Sequence, residues 1–380
     1  MNGTADPASE AERSRVREFA TRSVRPRAVE IDREDRLPPE LLRQLGSEGY
    51  LALGLPTEFG GRPASTRAFC AVLEELAAAS AAVAVTVAVH LSVCARPIAE
   101  RGTPAQRERW LPSLARGDRI GAFALTEPGA GSDTASLRTR YERSTDGFVL
   151  TGSKTFISNA ATGGLLLVFA TRDPNLKSKG ISAFLVPAPT PGFSVAQRFE
   201  KLGLRGSETT ELLFDGVRLP AESLLGREGE GLHIALGALT AGRVGIASCA
   251  LGVARAAFEE MQRAAAHDGD EAEWKRTALA RAYSELAAAR ALVEQAAERK
   301  DAGLSFEREA SVAKLVASRA AMSIASAGVD VAGPEGVRGS AAAGRLLRDA
   351  RVFPIVEGTS EIQELILGRG LLSPSPSQTA

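Results

Sequence analysis

The period of the apolar residues changes twice along this chain, and that change limits the architecture more than any single motif does. From residue 9 to about residue 116 the pattern is helical. Val16, Phe19, Ala20 and Val24 sit at helical spacing in an amphipathic run over 11–33, with Ser9 as its N-cap. Pro38 and Pro39 open a short helix over 40–46, and the apolar run 66–98 predicts two helices. Thr103-Pro104 caps another helix, which carries Trp110. After Gly121 the pattern turns to short β-rich runs at 148–150, 165–169, 181–186 and 212–214. Asp146-Gly147, Asp173-Pro174 and Asp215-Gly216 supply the turns between them. After Gly231 helix returns, in long Ala-rich runs at 232–266, 271–302 and 306–331, then at 341–352 and 360–368.

The expected fold is therefore α+β, mainly α, in three parts. An all-α domain spans 1–120. A β barrel or sandwich spans 121–230. An antiparallel helical bundle spans 231–372, and a Ser/Pro-rich tail, 373–380, is expected to fray. A length of 380 residues suits two or three domains.

Composition removes several functions. Lys+Arg and Asp+Glu are both 46, so there is no basic excess for nucleic-acid binding. Cys70, Cys94 and Cys249 lie far apart, and no two of His90, His233 and His267 are spaced to share a metal. No metal site is expected. Residues 1–12 lack the apolar core of a secretory signal, and the dispersed cysteines fit a cytoplasmic protein. The Ala/Val/Ser run 76–95 is long enough for a bilayer. His90 interrupts it and neither end has a basic or aromatic anchor, so it reads as a buried helix and no membrane is expected.

Three segments carry chemistry. Phe123 to Asp133 reads Phe-Ala-Leu-Thr-Glu-Pro-Gly-Ala-Gly-Ser-Asp. Gly129 and Gly131 permit a tight path, and the loop's backbone N–H groups with Thr126 and Ser132 can cradle a ring edge or a phosphate. It is neither a P-loop nor a Gly-x-Gly-x-x-Gly fingerprint, and a plain Pro-Gly turn entering a barrel accounts for it equally well. Lys154 to Asn159 reads Lys-Thr-Phe-Ile-Ser-Asn. Strand alternation puts Phe156 and Ser158 on one face, suited to a planar heterocycle or to an ordinary core. Phe353 to Gln363 reads Phe-Pro-Ile-Val-Glu-Gly-Thr-Ser-Glu-Ile-Gln. Glu357 follows four largely apolar residues, so desolvation should raise its pKa toward that of a general base. The alternative is that Glu357 caps the following helix, with Ser360 and Glu361 in its first turn.

Taken together, the chain resembles the acyl-CoA dehydrogenase family over residues 14–372. Leu125-Thr126-Glu127-Pro128-Gly129-Ala130-Gly131-Ser132-Asp133 and Glu357-Gly358-Thr359-Ser360-Glu361-Ile362-Gln363 look like its two signatures. Between them Lys201 to Ser207 and Gly242-Arg243-Val244-Gly245-Ile246-Ala247 match in order, closest to the short-chain branch. The resemblance implies a helical domain, a β domain and a C-terminal four-helix bundle, with FAD held between the last two. Glu357 would take the α-proton of an acyl-CoA or carrier-bound acyl thioester, and a hydride would leave the β-carbon for the flavin. It implies cofactor contacts from Phe123, Leu125, Thr126, Gly131, Ser132, Phe156, Ile157, Ser158, Thr359, Ser360 and Glu361. Ser132, Arg243 and Gly358 would lie against substrate, with the Glu357 N–H on the thioester oxygen. It also implies an electron-transferring flavoprotein as partner and a homodimer or homotetramer.

Four departures stand against the family pattern. No Arg-x-x-Phe-Gly occurs at 266–274, where the local sign is acidic. The Gln-x-x-Gly-Gly position reads Asp330-Val331-Ala332-Gly333-Pro334. Thr240 replaces an acidic residue and Val356 an aromatic one. The first two fall on contacts to the FAD adenosine half from a second subunit. A silent binding scaffold with this fold, or an oxygen-using oxidase, is the competing expectation.

Overall fold

The computed structural model describes residues 7–266, 273–338 and 341–372. The expectations for 267–272 and for the tail at 373–380 lie outside the described residues.

The N-terminal block holds α1 (Pro7–Phe19), α2 (Ala28–Glu34), α3 (Pro39–Ser47), α4 (Thr66–Ala79), α5 (Ala81–Val89), α6 (Arg96–Arg101) and α7 (Pro104–Arg116). The single helix expected over 11–33 is interrupted. A π turn at Ala20–Val24 and a 3-10 turn at Arg25–Arg27 separate α1 from α2, because Pro26 has no N–H to continue the ladder. Ser9 lies inside α1 and is not its N-cap. The 66–98 run breaks at Ser80, whose φ of −156° is extended. It then continues through α5 and a π turn (His90–Ala95) into α6. Thr103 and Gln106 close a reciprocal capping box on α7.

The middle block is one eight-stranded mixed sheet with an extra short helix. Its elements are β1 (Ile120–Ala124), β2 (Arg140–Ser144), β3 (Gly147–Ser158), α8 (Ala160–Gly163), β4 (Gly164–Thr171), β5 (Ile181–Pro187), β6 (Phe193–Arg198), β7 (Thr209–Pro220) and β8 (Leu224–Leu225). The order is β6-β7-β3-β2-β4-β5-β8, with β1 paired parallel to β4. Phe148 on β3 and Phe184 on β5 are three strands apart, yet their rings lie 5.1 Å apart, so the sheet curls around its own core. Asp215-Gly216 is not a turn between strands as expected. It is a kink inside β7, where Gly216 has a φ of 61° and the register against β3 shifts.

Alternation on β4 explains how the blocks join. Leu166, Val168 and Ala170 face the sheet's core, while Leu165, Leu167 and Phe169 join the helical core. His90 supports the same junction. Its Nδ1 accepts the Gly121 N–H at 2.9 Å, so its Nε2–H donates to the Leu51 carbonyl at 3.1 Å. Burial pushes its pKa down to about 4, and the ring stays neutral.

The C-terminal block contains α9 (Gly231–Ala266), α10 (Glu273–Asp301), α11 (Glu307–Ala332), α12 (Ala342–Ala350) and α13 (Ser360–Leu372). Glu74 and Glu75 of α4 are buried and take Arg13 of α1, Arg17 of α1, Arg255 of α9 and Arg290 of α10, which ties the first block to the bundle. By length and composition Ala81–Arg101, Gly231–Ala266 and Glu307–Val337 could each cross a membrane. The window in the first is 89% buried inside the protein.

Candidate active site

The fourth arm of the bundle is not a continuous helix. Between α12 and α13 the chain makes an irregular turn, and Glu357 stands in it with a φ of 51°, followed by Gly358 at 91°. Ser360 N–H donates to the Pro354 carbonyl at 2.8 Å, and the Ile362 N–H lies 3.4 Å from Thr359 Oγ1. Thr359, Ser360 and exposed Glu361 thus build the first turn of α13. Glu357 does not cap that helix.

The Glu357 side chain turns toward the bundle instead. Both carboxylate oxygens are buried and have no hydrogen-bond partner. Desolvation pushes the pKa up to about 8, against the pull of Arg243 and then Lys314. The carboxylate lies against Gly242 of α9. Arg243 is itself buried, with Nη1 3.5 Å from Ser311 Oγ and Nε unpartnered. Burial lowers its pKa, opposed by Glu357 and Glu307. Lys314 of α11 is fully buried and donates to the Gly358 carbonyl at 2.8 Å.

The β domain carries the second group of candidate residues. Phe123 and Leu125 sit at the end of β1 and just past it, and the Thr126 carbonyl accepts the Thr155 N–H at 2.9 Å. Glu127 and Ala130 exchange two backbone hydrogen bonds of 3.1 Å, which folds the loop carrying exposed Gly131 and Ser132. Buried Lys154 locks that loop: its Nζ donates to Glu127 Oε1 at 2.8 Å and to the Leu125 carbonyl at 2.9 Å. Glu127 also accepts the N–H groups of Arg138 and Thr139. A bulge follows on β3, where Phe156 takes a φ of 57°. Phe156 is left 64% exposed beside half-buried Ser158. Ile157 is 2% exposed in the sheet's core, so its side chain does not face the site and only its backbone can.

One loop links the two groups. The Phe156 ring meets Phe199 at 5.0 Å. From there residues 201–207 run to α12, where the Leu204 N–H donates to the buried Asp349 carboxylate at 2.7 Å. Residues 199–204 thus connect the Phe156 bulge to Arg348 and Asp349 of α12, the helix that leads into the turn of Glu357.

Matches to known proteins decide the family. Residues 6–118, 122–217 and 229–372 match the acyl-CoA dehydrogenase N-terminal, middle and C-terminal domains. An acyl-CoA dehydrogenase of Bacillus subtilis (strain 168) is 41% identical over 371 residues, 95% of this chain and 97% of its own. The chain belongs to the acyl-CoA dehydrogenase family. It is thus a flavin-dependent acyl-CoA dehydrogenase, and members of the family are FAD-dependent. The butyryl-CoA dehydrogenase structure from Megasphaera elsdenii superimposes with a TM-score of 0.95 at 34% identity, covering 98% of this chain and 100% of that one. A chain in the structure of an electron transferring flavoprotein of Acidaminococcus fermentans gives 0.96 at 31% identity, covering 98% and 100%.

The acyl-CoA dehydrogenase site fits a flavin on its own geometry. A large aromatic ring, Phe156, is left uncovered on the sheet side. An added Cβ at Gly129 or Gly131 would meet nothing within 4 Å, so the loop opens outward. On the bundle side Glu357 has two orphaned oxygens. A planar ring and an acidic C–H would satisfy these surfaces in turn. Sequence reasoning missed Lys314. Its signal was a lone lysine among the small residues Ala310, Ala313, Ala317 and Ser318 on a buried helical face.

Proposed function

We propose that this acyl-CoA dehydrogenase oxidises a short-chain acyl-CoA to the trans-2-enoyl thioester and passes the electrons to an electron-transferring flavoprotein. The observation that carries the reading is the Glu357 carboxylate, buried without a partner and raised in pKa to about 8. A carboxylate so placed is a stronger base than an ordinary one and is suited to take a proton from a weakly acidic C–H.

Bound FAD supplies the acceptor for the hydride leaving the β-carbon. Glu357 takes the α-proton onto its carboxylate, and its backbone N–H is the donor that would stabilise charge on the thioester oxygen. Arg243 and Lys314 oppose desolvation and keep part of the base ionised. Leu125, Thr126, Phe156 and Ser158 would hold the ring, with Phe123, Gly131 and Ser132 around them.

Short acyl groups are supported by the butyryl-CoA dehydrogenase neighbour. The electron acceptor rests on family resemblance and on the A. fermentans neighbour. A homodimer or homotetramer is supported by Trp274 and Tyr283, exposed on α10.

Anaerobic flavin bleaching with C4, C8 and C16 acyl-CoAs tests the reading. The butyryl thioester should be fastest. Preference for C16 would overturn the chain length, and no bleaching by any acyl thioester would overturn the function. Reoxidation by oxygen as fast as by an electron-transferring flavoprotein would favour an oxidase.

A further inference from the structure

We propose that Lys314 is a positioning residue for this reaction: its ammonium clamps the Gly358 carbonyl and so holds Glu357 in the backbone conformation that seats the carboxylate at Gly242. The proposal rests on the reading of Glu357 as the base.

Lys314 has no exposed side chain, and a buried ammonium needs a reason. The other fully buried lysine, Lys154, has one in its ion pair with Glu127. Among the described residues no carboxylate lies within 4.0 Å of Lys314. Its hydrogen bond goes to the peptide carbonyl just after the base, at 2.8 Å. Gln363 Nε2 donates to the same oxygen at 3.0 Å. Two side chains from two helices, α11 and α13, thus fill both lone pairs of one carbonyl.

That carbonyl matters because of its neighbours. Glu357 and Gly358 are successive residues in left-handed conformation, which a glutamate adopts only when its surroundings impose it. The Glu357 carboxylate makes no hydrogen bond of its own. Its place is set by the backbone turn and by packing, and the clamp on Gly358 fixes that turn. The same turn aims the Glu357 N–H. One lysine therefore positions both the base and its oxyanion donor.

Lys314 also acts through charge. The groups facing Glu357 are Arg243 and the Cys249 thiol from α9, and Lys314 from α11. Those facing Lys314 are Glu357, Arg243 and Glu361. Burial lowers the Lys314 pKa to about 8, so it carries its charge below that pH; without it Arg243 alone would favour the carboxylate, and the base would ionise at higher pH.

The test is anaerobic stopped-flow reduction of holoenzyme by butyryl-CoA across pH. Lys314→Met should slow flavin reduction about 10–100-fold and move the rising limb of its pH profile upward by roughly one unit. Acyl-CoA binding should change only a few-fold, since Lys314 reaches the backbone rather than substrate. Gln363→Leu keeps the charge, so it should slow reduction without moving the limb. A Lys314→Met holoenzyme with wild-type rate and limb overturns the proposal. So does a variant that loses thermal stability or FAD while its remaining holoenzyme keeps the wild-type limb. If Lys314→Met yields no holoenzyme, Gln363→Leu decides, and a wild-type rate there overturns it. Glu357→Gln runs alongside: near-normal reduction in that variant means the base reading has failed, whatever Lys314 does.

Discussion

Glu357 occupies the space that a side chain at Gly242 would need. A Cβ built at position 242 would stand 1.9 Å from Glu357 Oε2 and 2.7 Å from its Cδ. The absence of a side chain on α9 is what lets the carboxylate pack there. Gly242→Ala should fold, because the obstructed group is the end of a flexible side chain, but the base would be displaced. Displacement of about 1 Å can cost on the order of 10²-fold in rate. The check is flavin reduction against thermal stability: the rate should fall while the melting temperature hardly moves.

Glu357→Gln should keep FAD and lose at least about 10²-fold in flavin reduction, the contribution of a positioned base. In the wild type, kcat/KM should rise with pH as the carboxylate forms, with a midpoint near 8.

The same group gives a stability signature. Its folded pKa lies above its ordinary value of 4.5, so its stabilising share is complete below that pH and is lost as pH rises through about 8. Glu357→Gln does not titrate. Its melting temperature should gain on that of the wild type from pH 5 to pH 9, and parallel curves would count against the buried charge.

Lys154→Met should destabilise the protein by about 3 kcal/mol, because it leaves the Glu127 carboxylate buried without its cation. Two backbone donors remain on Glu127, which keeps the loss at the lower end. Denaturant titration measures it. FAD should also bind more weakly, since Glu127 folds the loop that carries Thr126 and Ser132.

Gly203→Ala strikes backbone rather than side chain. The added Cβ would lie 1.9 Å from the Arg348 carbonyl oxygen and 2.6 Å from the Asp349 nitrogen. Neither can swing away, so the loop must lift from α12, at a cost of about 1–3 kcal/mol or more. A lower melting point accompanied by FAD loss would show that this loop couples the sheet to the base.

Asp330→Gln restores the residue type that the family pattern has at that position. The family resemblance implies that this position meets the adenosine half of FAD, where a carboxylate would repel the pyrophosphate, and losing or gaining one charged hydrogen bond changes affinity roughly ten- to a hundred-fold. Titration of apoprotein with FAD should show tighter binding by the variant. Unchanged affinity would mean that other residues hold the adenosine half.

The sequence alone carried the three-part order, because the switch from helical spacing to short β-rich runs and back is a local property of side-chain periodicity. It singled out Glu357 behind Phe353-Pro354-Ile355-Val356 as either a desolvated base or a helix cap, but Ile355 is 59% exposed, and what buries the carboxylate is its packing against Gly242 of α9. It did not carry the break of the first helix into π and 3-10 turns, the parallel pairing of β1 with β4, or the kink at Gly216 inside β7. Those depend on which partner each strand and helix meets far along the chain. The clamp on Gly358 was equally hidden. Lys314 and Gly358 are 44 positions apart, and the small residues around Lys314 mark a helical face that packs closely without saying which distant carbonyl its ammonium meets. Periodicity acts within a few residues and can be read from the chain. The seat of the base against Gly242, and the donors that hold its turn, exist only once α9, α11 and α13 have packed.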